Sequence, residues 1–349
     1  RCRCCRRLPL TPSFTPTPTP NPNPSPIPDP KQVLPQMCGA SLARVLALAS
    51  EEQHLEAGLQ LRALDACVSA EPHHAAVGAL QRSLRGDPDT TQRLQTVRAR
   101  YRECLEALRL LGQSSDGWAF AEEAHGATTH YRHDAAGRLW LRTEGVMKDI
   151  GCLECIALWK EVDLFDRWFP LCQGARALAA PGRVELLAWF ELAVQGLPLG
   201  KRDAVLQGYG VDALSDGFMM VIGRSAAQSD WPQVPFPPLE GFGAARMHVA
   251  GLQVLVQPLS DRSVRCCYCC HIDIRAPLPR PMLRLATQHV VGRIFHALQQ
   301  EARKIRRGAE HSAHAARIER DAHVYLEWML HHQTPTLNLT LTLTLTLTL

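Results

Sequence analysis

Residues 263–274, SVRCCYCCHIDI, set Cys266, Cys267, Cys269 and Cys270 beside His271. Thiolates and an imidazole are zinc ligands, and a C-x-x-C pair is also the unit of thiol–disulfide exchange. A second C-x-x-C, Cys152 and Cys155, lies in GCLECIALW. Which chemistry is open depends on the element that carries them. Alternate side chains of a strand point to opposite faces. On a strand, Val264, Cys266, Tyr268, Cys270, Ile272 and Ile274 form an unbroken apolar face, and Arg265, Cys267, Cys269, His271 and Asp273 take the other. Cys266 and Cys269 then point apart and cannot converge on one tetrahedral ion. Cys152 and Cys155 fall in a helical pattern that presents two thiols on one side. The expectation is a strand of structural cysteines, small residues that are commonly buried, with no metal.

Other reactive constellations are absent from the chain. There is no G-x-S-x-G elbow, no H-E-x-x-H and no P-loop, so neither a catalytic set nor a cofactor is expected. Most of the fifteen histidines lie in the flanks, and His248 reads as structural. Of 349 residues, 46% are hydrophobic and 21% charged, ordinary for a globular protein. A formal net charge of +4 is too small to argue for a nucleic-acid partner. Thirteen scattered cysteines suit reduced thiols rather than a disulfide framework. No apolar run reaches the length of a membrane span. The expected localisation is cytoplasmic, with peripheral membrane contact at times.

The elements that must position these residues come in blocks. Residues 1–36 are Pro-rich and 334–349 repeat Thr-Leu; both are low-complexity tracts expected to lack a core. Their two-residue period matches a six-nucleotide repeat, which suggests translated simple-sequence DNA, with Met37 as the expected start. Residues 37–113 show helical spacing at Leu42, Val45, Leu46 and Ala49, and again at Leu94, Val97, Tyr101, Leu105 and Leu108. Asp87 before Pro88 is a helix opening. Two or three helices are expected there, packed as a structural support and open to a protein partner. Residues 118–147 read as a three-stranded meander and 149–170 as helical. Strands are expected at 174–180, 183–193, 202–212, 216–225, 244–257 and 262–274. Residues 279–307 form one long amphipathic helix, and 308–333 a thin helical tail, exposed by default. A sheet of this size needs a cover on its concave face, and the long helix supplies one. The fold class is α+β, a curved antiparallel sheet closed by a C-terminal helix over a cavity.

In the stretch 114–307 the sequence resembles the START domain, the StAR-related lipid-transfer module with a helix-grip fold. The resemblance rests on DGW (116–118), YRHDAAGRLWLRTEGVM (131–147), EVDLFDRWFP (161–170), GLPLGKRDAVL (196–206), DGFMMVIGRS (216–225), RMHVAGLQVLVQPL (246–259) and HIDIRAPLP (271–279), in order and at family spacing. It implies a lipid ligand of the sterol, phospholipid or sphingolipid class, carried or sensed between membranes. Related helix-grip folds also host cyclases and hydrolases in the same cavity, and a lipid-sensing module acting through the N-terminal helices is a third reading. Sterol-binding relatives carry a buried arginine six residues after the Arg of the Arg-Asp pair; here that position is Gly208.

Burial of a ~16-carbon chain supplies on the order of 12 kcal/mol before ordering costs. The expected walls are Leu187, Trp189 and Glu191, then Ala204, Leu206 and Gly208, then Tyr268 and Ile272, capped by Val290 and Ile294. The expected gate is the loop 195–201 with Leu197 and Leu199, together with the loop 226–243 with Trp231, Phe236 and Phe242, whose apolar tips suit a bilayer surface.

Overall fold

The computed structural model describes residues 30–70, 73–112, 117–193, 200–260, 262–276 and 280–325; at 30–38 and 280–291 it describes the backbone only. Ten strands form one sheet: β1 (Ala119–Ala124), β2 (Ala127–His133), β3 (Leu139–Lys148), β4 (Cys172–Ala179), β5 (Glu185–Leu192), β6 (Arg202–Ala213), β7 (Phe218–Ser225), β8 (Ala245–Arg246), β9 (His248–Ser260) and β10 (Ser263–Asp273). Their order is β1-β2-β3-β10-β9-β7-β6-β5-β4, and the two-residue β8 runs parallel to the start of β6. β1 and β4 remain edges, so the sheet is curved and open. The first hairpin turns at His125 and Gly126, both with positive φ (55° and 78°), the conformation that a two-residue hairpin turn demands. The cysteine segment is an interior strand, paired along its length with β3 and β9.

Four helices precede the sheet: α1 (Pro30–Ser50), α2 (His54–Ala70), α3 (Ala75–Gly86) and α4 (Pro88–Gly112). The chain thus has four helices where two or three were expected, and α1 starts inside the stretch read as structureless. Asp87 caps α4 by accepting from the Thr90 amide at 3.0 Å, with Pro88 as the first helical residue. Val45, Leu48, Ala57, Leu61, Leu94 and Val97 pack the helices on one another. A second apolar layer joins α2 and α4 to the outer face of the sheet, through Leu55, Tyr101, Cys104, Ala107 and Leu111 against Tyr209, Val211, Ile222, Leu255, Cys267 and Cys269. Arg142, on that face, donates to the Leu111 carbonyl at 2.8 Å, a cation placed at the C-terminal end of α4.

The inner face is covered by α5 (Cys152–Lys160), the 3-10 turn Val162–Arg167 and the long α6 (Arg280–Arg306). Phe295, Leu298 and Ala302 of α6 are fully buried against it. The segment after α6 departs from the exposed tail expected of it. Ser312 caps α7 (Ala313–Arg320), and Ala315 and Tyr325 join the inner-face core. Two groups bring it down: the Tyr325 hydroxyl donates to the buried Glu161 carboxylate, and Arg317 spans Glu161 at 2.9 Å and Asp163 at 2.6 Å. A few well-placed side chains dock it where a broad apolar stripe is lacking.

Candidate ligand cavity

β10 alternates as its sequence dictates. Val264, Cys266, Tyr268 and Cys270 belong to the inner-face core, and Cys267 and Cys269 to the outer. Cys266 meets Cys155 of α5; that hydrogen bond and burial raise the Cys155 thiol well above its ordinary value. Burial pushes Cys152 and Cys267 up to about 12 and Cys269 up to about 11. All stay protonated thiols at neutral pH, the form that is not nucleophilic. Among the described residues no group of three or more His, Cys, Asp or Glu is placed to hold a metal ion. His271 serves structure: its ring stacks on Trp140 at 4.2 Å, and Nε2 meets Asp134 Oδ2 at 3.0 Å.

Between the inner face and its cover lies a cavity of about 350 Å³. β6 contributes Ala204, Leu206, Gly208 and Gly210; β10 contributes Tyr268, Cys270 and Ile272, followed by Ile274 just past its end; Ile294 closes it from α6. Trp159 of α5 and Phe165 of the 3-10 turn complete the wall, within an aromatic cluster whose ring centres lie 4.9–6.3 Å apart. A side chain at Gly208 would approach the Ile222 carbonyl to 3.3 Å, and one at Gly210 would meet Val184 at 3.0 Å. Both glycines let the backbone lie close against those neighbours on the cavity floor.

The structure brings Ala204, Leu206, Gly208, Tyr268, Ile272 and Ile294 together at this cavity. Val290 falls in α6 with its side chain outside the described residues, and Leu197 and Leu199 lie outside them altogether. β5 is a correction. Leu186, Ala188, Phe190 and Leu192 line the cavity, whereas Leu187, Trp189 and Glu191 stand on the opposite face. The Trp189 indole donates to Asp203 at 2.9 Å, and Glu191 accepts from Lys201 at 2.9 Å. The segment ELLAWFEL carries Glu185 and Glu191 on one face and only Leu186, Ala188, Phe190 and Leu192 on the other, so its alternation marks the second face as the inward one. The pairing of Leu186 with Gly208 and of Phe190 with Ala204 agrees.

At one end of the cavity Arg202 gathers three segments. Its Nε donates to the Ile274 carbonyl at 3.0 Å, and Nη1 to the Gly200 and Gly243 carbonyls, both at 2.8 Å. The backbones at Gly200 and Gly243 touch so closely that a Cβ on Gly200 would sit 2.4 Å from the Gly243 carbonyl, and Gly243 has φ of 69°. Trp231 and Phe236 are half-buried, Phe236 lying under the Arg246 guanidinium at 5.8 Å. The apolar side chains that project are Leu239 and Phe242. Phe242 stands between two glycines, a sequence signal that marks a protruding tip.

No protein-family model and no curated protein matches this sequence. Among solved structures, human STARD10 aligns over 66% of this chain and 87% of its own, with a TM-score of 0.51 and 12% identity. Human StAR-related lipid transfer protein 5 aligns over 59% and 96%, with a TM-score of 0.48 and 20% identity. The match to STARD10 decides the architecture. This chain has a START-like helix-grip fold. In the helix-grip frame α6 is the gripping helix and the cavity is the space that it holds open. Among the described residues no helix is long and apolar enough to cross a membrane.

Proposed function

We propose that the helix-grip cavity binds one lipid, of the sterol, phospholipid or sphingolipid class, and that the protein carries or senses it at membranes. The observation that carries this reading is the void itself. About 350 Å³ remain between a sheet and a helix whose facing side chains are almost all apolar. A dry apolar hollow in a protein interior, normally packed to crystal density, has a use when a ligand fills it. The exposed Leu239 and Phe242, beside the glycine-lined contact of the two rim loops, support transient insertion into a bilayer surface. The loop 195–201 with Leu197 and Leu199, whose tip lies outside the described residues, belongs to the same proposed gate, as do Trp231 and Phe236.

Organic-solvent extraction of the purified protein, followed by mass spectrometry, is expected to recover a stoichiometric lipid; an empty extract together with failure to take up lipid from vesicles would sink the proposal. Phe242→Ser is expected to slow extraction of a fluorescent lipid from vesicles by about five- to thirtyfold, since burial of one aromatic ring at the surface is worth about 1–2 kcal/mol. An unchanged rate removes the loop from the gate. Recovery of a chemically altered lipid would favour an enzyme in the same cavity. A protein partner of residues 37–113 is proposed to use the sides of α1 and α3 that are turned away from the sheet.

A further inference from the structure

We infer that Arg202 anchors the polar end of the ligand, and that this end is an anion, a carboxylate or a phosphate monoester. The inference rests on the lipid-cavity reading and narrows it. Arg202 begins β6, lines the cavity and is 9% exposed. Its acceptors are all neutral carbonyls: Ile274, Gly200, Gly243 and, at 3.2 Å, Lys201. Among the described residues no carboxylate lies within ion-pair distance of it, and Nη2 has no acceptor. The adjacent Asp203 faces the other way, held by Arg246 at 2.6 Å and by Trp189.

The second cation in the wall is already compensated. Lys160 lies 2.9 Å from Glu161, within a set that also holds Arg317 and Asp163, two positive and two negative groups in all. No acidic side chain is among the described residues lining the cavity. The wall therefore carries one uncompensated guanidinium in a hydrocarbon setting. A buried charge solvated only by dipoles gains most from an opposite charge, and the guanidinium fork matches a carboxylate or phosphate with two parallel N–H donors. An uncharged head would leave it as it is. A cationic head would be repelled.

The rival view gives Arg202 only the task of tying together the loop ends at Gly200 and Gly243 and the step after β10. That role is blind to the ligand's head group, which makes a ratio the decisive readout. On the purified full chain, displacement of a bound fluorescent apolar probe is measured with hexadecanoate, hexadecyl phosphate and hexadecanol at neutral pH or above. One of the two anions is expected to bind at least about tenfold more tightly than the alcohol, a difference of about 1.4 kcal/mol. Which anion wins separates a carboxylate from a phosphate head. The anion-to-alcohol ratio is expected to collapse towards one in Arg202→Gln and to survive in part in Arg202→Lys. Using the ratio cancels any general loosening of the loops. A ratio near one in the unaltered protein overturns the inference without a variant, and so does a ratio that persists in folded Arg202→Gln. Displacement by the alcohol alone keeps the cavity reading and removes the anion; displacement by none of the three overturns both.

Discussion

The two faces of the sheet are built from the same strands and solve opposite problems. On the outer face Tyr209, Val211 and Ile222 pack in one buried cluster with Leu55 of α2 and Tyr101, Cys104, Ala107 and Leu111 of α4. On the inner face the alternate residues of those strands are Gly208, Gly210 and Gly223, and the covering helix stands off to leave about 350 Å³. The polar groups divide the same way. The outer interface carries a connected set: Arg100 reaches Glu185 at 2.5 Å and His54 Nε2 at 3.2 Å, and stacks on Tyr209, whose hydroxyl donates to Glu103 at 2.5 Å. The inner wall carries Arg202 and almost nothing else that is polar. Interlocking and charge pairing favour a rigid joint, whereas a dry, loosely filled space favours exchange of a guest. The N-terminal helices thus take over the support of the sheet that a filled interior would otherwise give.

The largest test of that contrast is acid. Burial and the Arg100 guanidinium push His54 down to about 3, and its Nε2 accepts from Arg100, so the folded protein holds a neutral ring. In the unfolded chain the same histidine titrates near ~6.5. The folded value is the lower one, so stability is fully present above pH ~6.5. It falls by about 1.4 kcal/mol per pH unit from there towards pH 3. Urea unfolding across that range should show the loss, and His54→Asn should flatten it; a flat profile in the unaltered protein would mean that the helix–sheet joint admits water.

Next in size is a matched pair of insertions. Ala107→Leu adds bulk to the outer layer, where Ala107 is buried between α4 and the sheet, and is expected to cost about 1–3 kcal/mol. Ala204→Leu adds the same bulk facing the void and is expected to change stability by less than about 1 kcal/mol while weakening lipid uptake. Equal costs in the two denaturation curves would show the inner space to be illusory. The smallest effect belongs to the solvent side of the helical layer. Arg98 and Asp65 pair at 2.8 Å with both side chains nearly half exposed, so Asp65→Asn should shift unfolding by less than about 1 kcal/mol, and less still at high salt.

Much of this was legible in the residues. The two-residue alternation of β10 assigns each cysteine to a face, because Arg265, His271 and Asp273 mark one side as polar. Asp87-Pro88 announces α4, and Gly208 stands where a bulky side chain would have closed the floor. β5 was legible too, since Glu185 and Glu191 mark one face as polar and Leu186, Ala188, Phe190 and Leu192 mark the other as apolar; the expected wall of Leu187, Trp189 and Glu191 took the polar-marked face. The docking of 312–325 was hidden: Glu161 and Asp163, which receive Arg317 and Tyr325, lie about 150 residues earlier in the chain.

The sequence by itself determined the local choices here: which segments extend, which coil, where they turn, and which strands have one polar side. Those follow from backbone sterics and from patterns read over a few neighbouring positions. Only the tertiary structure decided that α2 and α4 pack on the outer face while the inner one is left open, and that Arg202 stands in the wall with no carboxylate within ion-pair distance among the described residues. Each of those depends on distances between residues far apart along the chain, and no local pattern contains them.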